Sequence, residues 1–69
     1  MTMKLTVNGK MFEANPTISV IELLKEKNVE SPDMVAVEIN GKIIRKEKYS
    51  QIELRENDRV EFLYFMGGG

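Results

Sequence analysis

The chain has 69 residues, of which 30% are charged and 42% hydrophobic, with ten Lys and Arg against eleven Asp and Glu and no Cys, His or Trp. A chain this short folds as one domain and buries only about 60% of the surface its unfolded form exposes, too little for a core that also encloses an enzyme-sized cavity. Thiolate zinc sites, iron-sulfur clusters, disulfides and an imidazole base are excluded by composition, and the formal charge of −1 argues against a general affinity for nucleic acid phosphates.

In chain order, Met3, Leu5 and Val7 alternate with Lys4 and Thr6, the period of a strand with one buried face. Asn8-Gly9 predicts a tight hairpin turn, because both residues tolerate positive φ. Met11 to Ala14 is then expected to return antiparallel, with Phe12 and Ala14 inward. Ser19 followed by Glu22 has the form of a capping box, and Val20, Leu23 and Leu24 share one face of a short helix ending near Asn28. Ser31-Pro32-Asp33 is a connecting turn.

Strand periodicity resumes at Val35, with Val35, Val37 and Ile39 on one face, and a second Asn-Gly at Asn40-Gly41 leads into a short strand at Ile43 and Ile44. The polar stretch RKEKYSQIEL reads as a loop anchored by Tyr49, Ile52 and Leu54; its basic residues Arg45, Lys46 and Lys48 read as a solvated surface. Asn57-Asp58 forms a turn, Asn being the next most tolerant residue after Gly for positive φ. In the last strand, Arg59 to Phe65, Val60, Phe62 and Tyr64 are expected to face the core, leaving Leu63 and Phe65 on the other face. Met11, Met34 and Tyr49 are assigned to packing, and Ser19 to capping, since no base stands ready to activate its hydroxyl.

The elements imply an α+β fold, a mixed sheet of four to five strands packed on one helix in the order ββαββ(β). That ordering is that of the ubiquitin-like β-grasp, in which the final strand runs beside the first and the C-terminus projects from the sheet. Residues 1–66 are assigned to this domain and residues 67–69 to a flexible glycine tail. The longest apolar run, Phe62 to Met66, is far short of a membrane span, and the segment MTMKLTV has no apolar signal core, so a cytoplasmic protein independent of membranes is expected.

Gly67-Gly68-Gly69 directly follows an apolar strand. At a glycine frequency of about 7%, three in succession at a given place arise by chance roughly 3 times in 10,000, which makes the tail a candidate site. A C-terminal carboxylate is ionised at neutral pH, is nucleophilic toward phosphorus, and becomes electrophilic only after activation. Without Cβ atoms, three extended residues reach about 10 Å into a channel that bulkier residues would block.

SVIELL at Ser19 to Leu24, VEINGKII at Val37 to Ile44, KEKY ending in Tyr49 and the closing NDRVEFLYFMGGG together resemble the bacterial thiamine-biosynthesis sulfur carriers of the ThiS type over nearly the whole chain. The resemblance implies a carrier rather than an enzyme, whose terminal glycine, here Gly69, is adenylated and converted to a thiocarboxylate, with Gly67 and Gly68 as the approach. It implies no intrinsic cofactor, ATP and Mg being used by the activating partner. The implied partners are an E1-like adenylating enzyme of the ThiF type, a thiazole synthase of the ThiG type and a cysteine desulfurase upstream. Leu63, Phe65 and Met66 would form an apolar docking patch at the root of the tail. The alternatives are the small subunit of molybdopterin synthase, another ubiquitin-like sulfur carrier, or a β-grasp interaction module with inert glycines.

Overall fold

The structure is a computed structural model that describes residues 1–29 and 32–64. Its order of elements is β1 (Met3–Val7), β2 (Lys10–Ala14), α1 (Val20–Glu26), β3 (Val35–Ile39), β4 (Lys42–Ile44) and β5 (Arg59–Tyr64), with 3-10 turns at Pro32–Met34 and Lys46–Lys48. The strands form one sheet in the order β2-β1-β5-β3-β4. β1 and β5 run parallel, and the other neighbours are antiparallel. The last strand therefore lies beside the first, which is the β-grasp arrangement expected from the order of elements.

Both Asn-Gly turns form as their residue types require, with φ of +52° at Asn8 and +82° at Gly9, and +52° at Asn40 and +87° at Gly41. The first turn sets the β1–β2 register, placing Leu5 opposite Phe12 and Met3 opposite Ala14. Leu5, Val7 and Ala14 are buried and Phe12 half-buried, so one face of the hairpin packs inward. β2 begins one residue before the expected Met11. Met11 itself is a correction: it pairs with Thr6 on the opposite face and is 69% exposed, because an edge strand has no neighbour to cover that position.

The capping box at the start of α1 is complete. Ser19 Oγ accepts the Glu22 N–H at 3.2 Å, and the Ser19 N–H donates to Glu22 Oε1 at 2.8 Å. Val20, Leu23 and Leu24 are fully buried against the sheet. The helix ends at Glu26, with Asn28 just beyond it at a φ of +60°. Lys27, at the C-cap, places its Nζ 4.6 Å from the centroid of the Phe12 ring.

The segment between β4 and β5 is stitched to α1 by main-chain bonds, the N–H groups of Val20 and Ile21 donating to the carbonyls of Ile52 and Tyr49, each at 3.0 Å. Tyr49 and Leu54 are buried and Ile52 half-buried, so all three expected anchors reach the core. Met34 differs from expectation: in the 3-10 turn ahead of β3 it is 41% exposed.

Candidate functional site

The candidate site is the end of β5 and the tail it carries. Phe65, Met66, Gly67, Gly68 and Gly69 lie outside the described residues, so the geometry on view is that of the root, Val60 to Tyr64. Val60 and Phe62 are buried and stand opposite Ile39 and Val37 of β3, anchoring the strand to the core. Leu63 stands opposite Ala36 on the open face and is 41% exposed, where the alternation placed it.

Tyr64 corrects the alternation. It was expected to face the core with Val60 and Phe62, yet it is 57% exposed. Its register partner is Val35, the first residue of β3, so it sits at a corner of the sheet. β1, the strand on its other side, stops at Val7, opposite Val60, and supplies nothing to cover it.

Asn8 holds the root from the β1 side. Its N–H donates to the Val60 carbonyl at 2.9 Å and its Oδ1 accepts the Phe62 N–H at 2.8 Å. Sequence reasoning assigned Asn8 to the turn alone; the signal for this second role was that an Asn at positive φ carries a carboxamide able to stand in for the displaced main chain. Tyr49 supports the β3 side by donating its hydroxyl to the Val35 carbonyl at 3.1 Å, and burial pushes its phenol above the usual range.

On the open face, Glu61 of β5 stands directly opposite Glu38 of β3, and Ile43 of β4 lies beyond Glu38. Arg45, Lys46 and Lys48 are exposed, and Lys46 makes a solvent-facing ion pair with Asp33 at 3.4 Å, an arrangement of little energetic weight.

A concavity of about 710 Å³ opens to solvent between Met3, Pro16, Leu54 and Glu56. Met3 opens β1, and β1 runs parallel to β5, so this depression lies at the far end of the sheet from Tyr64. Among the described residues no three metal-capable side chains gather at one place, and no helix is long and apolar enough to cross a membrane.

Known proteins resemble this chain over nearly its whole length. The model of the ThiS family matches residues 5–69, a span that includes all three terminal glycines. The sulfur carrier protein ThiS of Bacillus subtilis is 38% identical over 66 residues, covering 94% of this chain and 98% of that protein. A thiazole synthase of Paramagnetospirillum magneticum is 39% identical over 67 residues; there the chain spans only 20% of the relative's length. The crystal structure of the thiamine biosynthesis protein ThiS of Geobacter metallireducens superposes with a TM-score of 0.85 at 42% identity, covering 97% of this chain and all of that one. With matching sequence and fold, the protein belongs to the ThiS family of sulfur carriers of thiamine biosynthesis.

Proposed function

We propose that the chain carries sulfur as a thiocarboxylate on Gly69 and delivers it for thiazole formation. The observation that carries this reading is the family match over residues 5–69, a span that takes in the terminal glycines. The chemistry follows from the properties of a carboxylate. One of its oxygens attacks the α-phosphorus of ATP, held with Mg in an adenylating enzyme of the ThiF type, and pyrophosphate leaves. A persulfide carrying sulfur from a cysteine desulfurase then attacks the acyl carbon and AMP leaves; a second thiol cleaves the resulting acyl disulfide, releasing the thiocarboxylate and leaving a disulfide on the donor side. The carrier is a substrate throughout, and the catalytic groups belong to the partners, in the cytoplasm.

The thiazole synthase similarity supports the acceptor: a region like this chain occurs within a thiazole synthase of Paramagnetospirillum magneticum and another of Magnetococcus marinus, the latter at 33% identity. A thiazole synthase of the ThiG type is accordingly proposed as the enzyme that receives the sulfur. Leu63, Phe65 and Met66 are proposed as the apolar contact around the tail root, and Gly67 and Gly68 as the narrow approach to the partner's site.

Intact-mass measurement tests the reading. After incubation with the host's adenylating enzyme, ATP, Mg and a sulfur donor, the protein is expected to gain the mass of one oxygen replaced by sulfur, localised to Gly69. Deletion of Gly69 is expected to abolish both the gain and thiazole synthesis in the host. Thiazole synthesis that survives the deletion refutes the thiamine assignment, and loss of molybdopterin synthesis in its place identifies the other carrier pathway.

A further inference from the structure

β1 and β5 share only two register pairs, Thr6 with Arg59 and Val7 with Val60. β5 then continues to Tyr64 with no strand beside it on that side among the described residues. Main-chain polar groups alternate along a strand, and here the even-numbered residues of β5 face β1: the Asp58 and Val60 carbonyls accept the Thr6 and Asn8 N–H groups, both at 2.9 Å. The Phe62 N–H lies on the same side and is met by the Asn8 side chain at 2.8 Å. One step further along this edge come the Phe62 carbonyl and the Tyr64 N–H, and no described residue pairs with either. The opposite edge is occupied by β3 as far as Val35.

Exposed edges invite strand addition and are commonly blunted by charge, proline or shortness. The outer edges of this sheet follow the rule, β2 carrying Lys10 and Glu13, and β4 having only three residues and opening with Lys42. The inner edge at the end of β5 lacks such protection: the side chains flanking it are Leu63 and Tyr64, both substantially exposed. Its position is also constrained by the tail. Gly69 lies five residues beyond Tyr64, a reach of at most about 18 Å, so an enzyme holding Gly69 in its active site has its surface beside this edge.

We propose that the adenylating enzyme lays an extended segment of its own main chain along this edge, adding a strand to β5 beyond the end of β1. The Tyr64 N–H donates to a partner carbonyl, and the Phe62 carbonyl accepts a partner N–H. Recognition of this kind draws affinity from main-chain bonds and depends little on side-chain identity. It also fixes the direction in which the tail leaves the sheet, and adenylation needs that, because in-line attack requires the carboxylate to be held about 3–3.5 Å from the phosphorus. The proposal rests on the carrier reading.

Amide hydrogen exchange by NMR, together with two variants, tests it. In the free protein the Tyr64 amide is expected to exchange at close to the rate of an unstructured chain. With saturating adenylating enzyme, ATP and Mg it is expected to slow by about tenfold or more, the protection given by a formed main-chain bond. Tyr64→Pro removes the N–H and Tyr64→Val keeps it; the proline variant is expected to bind the enzyme about tenfold more weakly than the valine variant. An unprotected Tyr64 amide in the complex, protection that appears only with a thiazole synthase, or equal binding by the two variants overturns the proposal. Should the native chain acquire sulfur while Tyr64 stays unprotected, strand addition alone fails; should it never acquire sulfur, the carrier reading fails and takes the proposal with it.

Discussion

Replacing Tyr49 by Phe removes one oxygen from a place where the sheet has no strand to spare. Residues 36 and 38 of β3 bond toward β5, so the Val35 carbonyl points to the other side, toward β4. β4 ends at Ile44, opposite Val37, and does not reach it. The Tyr49 hydroxyl fills the gap at 3.1 Å, with Tyr49 4% exposed and Val35 2% exposed. In Tyr49→Phe the carbonyl is left buried without a partner, at a cost of about 1–3 kcal/mol. A chain of 69 residues has a total stability of about 3.5–10 kcal/mol at the usual value per residue. The thermal midpoint is expected to fall by about 4–8 °C for each kcal/mol lost. Urea unfolding followed by circular dichroism checks this, with an unchanged m value showing that the unfolded state is not the cause. Because Val35 stands opposite Tyr64, and Ala36 opposite Leu63, the Leu63 amide is expected to exchange faster in the variant. A stability within about 0.5 kcal/mol of the native protein, with Leu63 exchange unaltered, refutes the role assigned to the hydroxyl.

Asn8→Ala is expected to cost about 1–3 kcal/mol, since it removes the acceptor of the half-buried Phe62 N–H and forces Ala to a φ of +52°; Asn8→Gly relieves the backbone alone and should recover part of the loss in urea unfolding. Ser19→Ala breaks the capping box and is expected to lower stability by about 0.5–2 kcal/mol in the same assay. Hydrogen bonds donated by the Ser19 backbone N–H and by its hydroxyl hold the Glu22 carboxyl below its usual range, so its contribution is present above the ordinary glutamate pKa and lost as pH falls through the lowered one; Glu22→Gln should flatten that acid limb of a stability–pH profile. The buried Tyr49 phenol works in the opposite sense, its contribution being complete below a pH of about 10 and lost as pH rises through the raised value, and Tyr49→Phe should remove that alkaline limb.

Local chemistry made much of this fold readable. Asn8, Asn40 and Asn57 all occupy positive φ, as turn-forming asparagines do, and Ser19 and Glu22 bond reciprocally at the start of the helix. What local pattern could not supply was the neighbourhood of each strand. The pairing of β1 with β5 joins residues more than fifty positions apart, and nothing in MKLTV states which strand will lie on its second edge. Tyr64 and Met11 show the consequence. Alternation gave Tyr64 the correct side of the strand but not the knowledge that β1 stops at Val7, and Met11 was assigned to packing although its strand is an edge. The candidate site divided in the same way: the glycine tail was legible as composition, and the exposure of Leu63 as period, whereas the roles of Asn8 and Tyr49 at the root depend on where strands end.

Those two side chains bear on how a chain without Cys or His can take part in sulfur chemistry. When the reacting group is the chain's own terminal carboxylate, the fold has no nucleophile or base to position and must instead present a strand from which the tail departs in a defined direction. β5 is held on one side by β3 as far as Val35, whose carbonyl is secured by Tyr49, and on the other by β1 only as far as the Asn8 carboxamide. The support is thus asymmetric, complete on the β3 side and ending two residues short of Tyr64 on the β1 side. Had β1 continued, the end of β5 would be a fully paired central strand with no main-chain group left to offer. Because the Asn8-Gly9 turn carries the chain away, β5 is hydrogen-bonded on this side up to Phe62 and an open edge begins there, between the core and the glycine proposed to be modified. Lengthening β1 by moving that turn two residues later in the sequence should therefore stabilise the domain against urea while weakening its capture by the adenylating enzyme. A lengthened variant that gains stability and is adenylated as fast as the native chain would show that the open edge has no part in recognition.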